Sequence, residues 1–393
     1  MRERMLFLSS QSHYPEDLEG TIRTGSFLDI LLERFDIDLL EYCQTDRKHE
    51  LRPQPALKVH TINRAVRPEK SLLNPLNKLN GSSGLAITDK NLRTEITELC
   101  KLHTYSHVFI TRGLLGKCID MVSALLPDAK IIADALRLES RHSQEQAAGK
   151  RGWTRRYHEW NAAVIRREER KLMNKSSLLL TVSEWDALSF KALSFADAGK
   201  VHVVPHSIHL NEYPSHEPVL KENAIVLHWN MHTSQGKNAA VVFYRKIYPL
   251  IKAEVPDCKC YIAGSEVHPE VLALAKDDLS VVIVQEGREA NEHIRRAKAV
   301  IGLLREGCGG QPKILEAWAL RTPVVTGLKG SEELACEPGR NILLANTMGE
   351  IAEHAVKLLV TPALGAIIAD QAYKTLLKHY EAGSIKEKVL SLV

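Results

Sequence analysis

The chain lacks any long hydrophobic run. Its apolar stretches, such as residues 177–182 and 224–227, fall far short of the ~20 residues that a membrane-spanning helix needs. The opening segment, MRERMLFLSSQSHYPED, is equally poor, because its apolar run covers only residues 5–8. A secretion signal carries a core of roughly 7–15 apolar residues. These two shortages predict a cytoplasmic protein. Cysteine is sparse and unpatterned: seven residues, at positions 43, 100, 118, 258, 260, 308 and 336. Cys258 and Cys260 lie close together, but no second pair completes a zinc pattern, so reduced thiols and no metal are expected. Charge of one sign is also scarce. A net charge of +4 over 393 residues does not by itself imply a nucleic-acid partner. There is no internal repeat and no low-complexity tract.

What is present is the pattern of a soluble α/β protein. Apolar residues make up 44%, ordinary for a globular chain, and 393 residues exceed what one core usually supports, so two domains are expected. Short apolar runs alternate with helix-period segments, which argues for parallel sheets covered by helices. Strands are predicted at 5–8, 37–42, 108–110, 130–133, 178–182 and 201–204. A second set follows at 224–227, 260–263, 281–284, 300–303, 323–325 and 342–344. A helix is predicted at about 24–34 and a long basic one over 153–175. Residues 65–90 are rich in Asn, Pro, Gly and Ser and read as a surface insertion, and PSHEP at 214–218 as the linker between domains. In such folds ligands bind outside the carboxyl ends of the strands, so candidate residues belong in the strand-to-helix loops.

One stretch concentrates chemistry: REGCGGQPKILEAWALRTPVVTG, residues 305–327. Gly307, Gly309 and Gly310 make a turn with little side-chain bulk. A helix begins near Pro312 or Lys313, since proline suits a first helical position. Thr322-Pro323 ends the helix, and a buried strand follows. A glycine turn feeding a helix N-terminus offers free N–H donors to a phosphate. Lys313 adds a cation, and Glu316, placed in the first turn, can accept hydrogen bonds from hydroxyls. Diphosphate and hydroxyls together describe a nucleotide sugar. The plainer alternatives are a lysine snorkelling at a helix start and a carboxylate complementing the helix dipole.

This ordered set of glycine turn, Lys-Ile-Leu-Glu-Ala helix and Thr-Pro-Val-Val strand resembles the donor-site motif of retaining GT-B glycosyltransferases, glycosyltransferase family 4. The similarity is greatest to bacterial members associated with exopolysaccharide and cell-surface glycan assembly, and it extends over most of the chain outside 65–90. It implies a GT-B fold, two Rossmann-like domains facing each other across a cleft. The expected limits are 1–215 for the acceptor-side domain and 216–375 for the donor domain, with a C-terminal helix at about 376–393 packing back on the first. It implies transfer of a sugar from a nucleotide-sugar donor, UDP- or GDP-linked, to a glycan or lipid-linked hydroxyl, with retention and without a metal cofactor.

The resemblance also assigns residues. Lys237, in LHWNMHTSQGKNAAVVFYRKI, matches a phosphate-binding lysine by spacing, and His232 stands where relatives carry arginine. Glu316 matches the second acidic residue of the family's paired glutamates. The first falls on Cys308, so Glu306 is the candidate replacement. Ser331 and Glu332, in LKGSEEL, match a Gly-x-Glu segment expected near sugar or ribose. In the first domain, Gly20 and Arg23 belong to a loop-helix segment lining the acceptor side, joined by Arg112 after its strand. Asp134, in ADALRLESRH, is either an acceptor-activating base or a helix N-cap. Catalytic roles are thus expected of Lys237, Glu306 and Asp134. The remaining signposts, TVSE at 181–184 and VHVVPHSIH at 201–209, place strands only.

The helix GWTRRYHEWNAAVIRREERKLMNK carries Trp153, Tyr157, Trp160, Val164 and Leu172 at 3–4 spacing. This predicts a core-packed stripe with a solvated basic face. The other reading is contact with an anionic membrane through 151–171, at the inner face of the cytoplasmic membrane. Two rivals to glycosyl transfer remain. One is a nucleotide-sugar 2-epimerase. The other is a catalytically silent relative, which His232 and Cys308 favour. A nucleic-acid partner is not expected.

Overall fold

The computed structural model describes residues 2–9, 19–43, 55–63, 90–111, 115–136, 138–148, 150–213, 219–229, 231, 234–264, 267–285, 287–302, 311–332 and 334–393. The chain divides into two compact units, Met1–Pro205 with Lys386–Val393, and His206–Ile385.

The first unit holds a parallel sheet of β1 (Glu3–Ser9), β2 (Phe35–Cys43), β3 (Leu57–Asn63), β4 (His107–Thr111), β5 (Lys130–Leu136), β6 (Leu178–Thr181) and β7 (Val201–Val203). Their spatial order is β3-β2-β1-β4-β5-β6-β7. Side chains alternate across a strand. Leu6 and Leu8 therefore join Leu40, Val108 and Ile110 on one face. Phe7 points the other way and stacks on Phe109 at 4.7 Å between centroids. Phe27, from the helix Glu19–Leu32, closes over Phe109 at 5.0 Å. Each such aromatic burial contributes about 1.5–3 kcal/mol. That contact fixes the helix that carries Arg23.

The second unit repeats the plan with β8 (Ala224–His228), β9 (Lys259–Ala263), β10 (Val281–Val284), β11 (Ala299–Gly302), β12 (Val324–Gly327) and β13 (Leu343–Ala345). The order is β10-β9-β8-β11-β12-β13, all parallel. In both sheets the order reverses direction once, between β1 and β4 and between β8 and β11. These are the topological switch points where such sheets bind ligands. The helix Gln311–Ala319 is seated by Ile314, Leu315, Ala317 and fully buried Trp318, which pack on Val226, Ala263, Val300 and Val324.

Five features differ from expectation. Strand β3 has no counterpart in the predicted set. It is an edge strand, only half-buried, so it shows neither a continuous apolar run nor a clean alternation. The first helix starts at Glu19 rather than near 24. The division between units falls at Pro205, before the PSHEP segment, which lies outside the described residues, as does most of the 65–90 insertion. Ile208 is tied into the second unit by its backbone: its N–H donates to Tyr380 O at 2.8 Å, and its carbonyl accepts from Ala382 N at 3.1 Å. At the C-terminus, only Lys386–Val393 joins the first unit, where Lys386 meets Glu33 at 2.6 Å.

The fifth difference is the basic helix, which runs over Gly152–Lys175. The aromatic stripe is not its core face. Trp153, Trp160 and Val164 are exposed, and the buried positions are Ala162, Glu169, Leu172 and Met173. Its C-terminal part sends Leu172 and Met173 into the core beside Ile119 and Val122 of the helix Leu115–Leu125, and its N-terminal part meets the helix Glu139–Ala148 through a small, polar contact. Ser143 Oγ donates to His158 O at 3.1 Å, Asn161 Nδ2 donates to Ser143 Oγ at 3.1 Å, and Ser140 N donates to Glu169 at 3.0 Å. Trp153, Trp160 and Val164 mark the wrong face because the contact with Glu139–Ala148 is built from close approach rather than bulk.

Candidate functional site

In the first unit the carboxyl ends of β1 and β4 present small hydroxyls. Thr111 Oγ1 donates to Ser9 Oγ at 3.3 Å, and both residues are buried. Arg23 reaches across from the following helix to Asp134 on β5. Its Nε lies 3.1 and 3.0 Å from the two carboxylate oxygens, and Nη2 lies 2.7 Å from Oδ1. The third nitrogen, Nη1, donates to Pro205 O at 3.2 Å. The side chains are 3% and 4% exposed. Asp134 is therefore no helix cap. It lies inside a strand, with both oxygens engaged by one guanidinium. Two residues on, Leu136 has φ 53°, and the β5–β6 register shifts between Asp134 and Leu136. A non-glycine residue at positive φ costs of order 1–3 kcal/mol and persists only where its surroundings hold it. Gly20 belongs to the first turn of the Arg23 helix, and Arg112 lies outside the described residues.

In the second unit β8 ends in His228, whose ring is fully buried. The helix Gln311–Ala319 brings Lys313 and Glu316 to it. Lys313 Nζ lies 3.2 and 3.4 Å from the two Glu316 oxygens, and Glu316 Oε2 is 3.6 Å from His228 Nε2. Neither ring nitrogen of His228 has a hydrogen-bond partner. Burial, then the nearby Lys313 charge, holds this histidine well below its ordinary pKa, so it is neutral. Because the helix begins at Gln311, Glu316 stands in the second turn, not the first. Lys313 is the charged residue of the first turn, and that turn has no acidic side chain. A cation at the positive end of a helix dipole costs stability, and an anion bound there reverses the cost.

The strand ends around His228 pack tightly. A Cβ on Gly302, the last residue of β11, would come 2.8 Å from Thr326 Oγ1 on β12. A Cβ on Gly264, just past β9, would meet Met231 Cγ at 2.7 Å and Trp229 O at 2.9 Å.

Other expected residues are placed less centrally. Lys237 sits in the helix Ser234–Val242 and pairs with Glu270 at 3.2 Å. Ser331 is buried and its hydroxyl donates to Leu328 O at 2.7 Å, while Glu332 is exposed. His232, Glu306, Gly307, Cys308, Gly309 and Gly310 lie outside the described residues. Among the described residues, no group of three or more His, Cys, Asp or Glu could hold a metal ion. Cys100, Cys118, Cys258, Cys260 and Cys336 are free thiols, and burial pushes those of Cys118 and Cys258 up to about 12.

His228 is the residue that sequence reasoning misses. Its signal is a polar residue closing the apolar run Ala-Ile-Val-Leu at the end of the strand beside the switch point.

Residues 222–361 match the family described as Glycosyl transferases group 1. No curated protein sequence matches the chain. Solved structures align with nearly the whole of it. Sucrose-phosphate synthase from Thermosynechococcus elongatus is 13% identical, covers 100% of this chain and 98% of its own, and has a TM-score of 0.72. TarM is 13% identical, with 99% and 98% covered and a TM-score of 0.67. HepE from Anabaena, solved in complex with UDP and glucose, is 15% identical, with 99% of both chains covered and a TM-score of 0.63. The fold is GT-B, made of two parallel-sheet α/β units.

Proposed function

We propose that this chain transfers a sugar from a nucleotide-sugar donor to a glycan or lipid-linked hydroxyl acceptor, with retention at the anomeric carbon. In that reaction the bond from the sugar carbon to the diphosphate breaks. The acceptor oxygen bonds to the same carbon, its proton is released, and a nucleoside diphosphate leaves. The observation that carries the reading is Lys313 in the first turn of a helix beside the β8–β11 switch point, with Glu316 one turn behind it. The match of residues 222–361 to group 1 glycosyltransferases covers this site. HepE complexes with UDP and with UDP-glucose favour a uridine donor.

In this reading the helix N-terminus and Lys313 take the donor diphosphate, Glu316 accepts hydrogen bonds from donor hydroxyls, and Lys237 adds a second cation. Fixed positive groups aimed at the departing diphosphate stabilise the charge that grows there in the transition state. Such cations do for the leaving group what a metal ion would do.

Thermal stabilisation by UDP, GDP, ADP, dTDP and CMP nucleotides and their sugars, with and without EDTA, tests the reading. A ligand at 100 times its dissociation constant adds about 2.7 kcal/mol of stability. The expected result is a shift for one nucleotide class, insensitive to EDTA and lost in Lys237→Ala and Lys313→Ala. No shift with any nucleotide overturns the donor site. Acceptor-independent turnover of the sugar nucleotide would assign an epimerase. Nucleotide binding with no turnover on any acceptor would assign a silent relative.

A further inference from the structure

The helix Gly152–Lys175 is held by one face and leaves the opposite face uncovered. Inward, Ala162, Leu172 and Met173 are buried and Glu169 accepts from Ser140 N. Outward, Trp153 is 85% exposed, Trp160 58% and Val164 42%. At about 100° per residue these three side chains fall within roughly 40° of one another on the helix. They form a single apolar line about 16 Å long at about 1.5 Å per residue. Two exposed indoles on one line are not needed by the fold, since the helix is already seated from the other side.

The charges beside that line are mostly basic, and the acidic ones there are already paired. Arg155 is paired with Glu159, and Lys171 with Glu168 and Asp120. Arg156 and Arg167 lie beside the aromatic line on one side, with Arg170 further round and Arg166 toward the packed face. Among the described residues none of these four has an ion-pair partner. Indoles with unpaired guanidinium groups alongside suit a boundary that is apolar below and anionic above. Trp sits well where one end is dry and the other wet, and arginine stems lie along apolar surface while their heads stay in water. This helix carries charged residues along its whole length and an apolar line on one face only, so the contact is one of lying on the surface.

We propose that the Trp153–Trp160–Val164 face of this helix docks on an anionic lipid surface, with the indoles at the headgroup boundary and Arg156, Arg167 and Arg170 on the lipid phosphates. The contact deepens the transfer reading, because a lipid-linked acceptor would be met at that surface. Vesicle binding is nevertheless measured without turnover, so either reading can fail alone.

The test is flotation of the full chain with vesicles of phosphatidylcholine alone, and of equal parts phosphatidylcholine and phosphatidylglycerol. Binding is expected to the anionic vesicles only and to be released by high salt. It is expected to fall at least tenfold in Trp153→Ser/Trp160→Ser. It should fall roughly five-fold for each of Arg156→Gln and Arg167→Gln. All four positions are on the solvent side of the helix, so thermal melts of these variants should match the parent. No flotation with anionic vesicles overturns the proposal, as does flotation unchanged in both sets of variants. Binding of single-stranded RNA with the same variant sensitivity, and no flotation, would reassign the face to a nucleic acid.

Discussion

Arg23 and Asp134 form a buried bidentate ion pair in the first unit, with Nη2 to Oδ1 at 2.7 Å, and the same guanidinium also holds Pro205 O at 3.2 Å. One cation thus ties together the helix after β1, the irregular end of β5 and the residue that closes the first unit. Removing one partner leaves a charge buried without a counter-ion, which costs about 3–5 kcal/mol. Asp134→Ala is therefore expected to lower the urea midpoint by an amount equivalent to that range, with Asp134→Asn less severe. If Asp134 served as the acceptor-activating base and little else, turnover would fall while the urea midpoint stayed in place.

His228 makes stability fall in mild acid. Its folded-state pKa is depressed well below 6.5 by burial and by Lys313. Below pH 6.5 the unfolded chain therefore binds a proton that the native chain does not. Stability is lost as pH drops through that value, at up to about 1.4 kcal/mol per pH unit. Denaturation of the parent and of His228→Phe across pH 5–8 checks this, with the variant expected to show a flatter acid limb. Equal slopes for the two would mean that His228 ionises in the folded protein without penalty.

The parallel sheets are legible in the sequence because strands buried on both faces read as unbroken apolar runs, as at Met5–Leu6–Phe7–Leu8 and Ile225–Val226–Leu227. β3 escapes because half of each residue faces solvent at the sheet edge. The helix carrying Lys313 and Glu316 is legible from its local order. The contact of Glu316 with His228 is not, because the two residues are brought together only by the pairing of β8 with β11. The basic helix shows the limit of periodicity. A line of Trp153, Trp160 and Val164 announces an apolar face, but only the three-dimensional neighbours tell which face is covered.

Gly302 and Thr326 are register partners on β11 and β12, and a methyl group at 302 has no room beside them. Gly302→Ala is expected to destabilise by about 1–3 kcal/mol through overpacking. Thr326 Oγ1 is buried without a hydrogen-bond partner. Thr326→Ala should therefore cost little by itself and should recover part of the loss in the double variant. Additive losses in the double-mutant cycle would show that the two positions do not share the space.

Lys313 and Glu316 separate the two halves of a nucleotide when each is removed alone. In the free protein Glu316 pairs with Lys313 at 3.2 Å, so a bound diphosphate competes with it for the ammonium. Glu316→Ala removes that competitor at the positive end of the helix dipole, and inorganic pyrophosphate should then bind as well as in the parent or better. The same variant loses its hydrogen bonds to donor hydroxyls. Bonds to a charged group contribute about 1.5–3 kcal/mol, so nucleoside diphosphate affinity should fall by roughly 10–100-fold. Lys313→Ala should weaken both ligands together. Titration calorimetry with pyrophosphate and UDP on the three proteins reads all of these outcomes. Parallel losses of both ligands in Glu316→Ala would place that carboxylate outside hydroxyl recognition and leave it as a holder of the lysine.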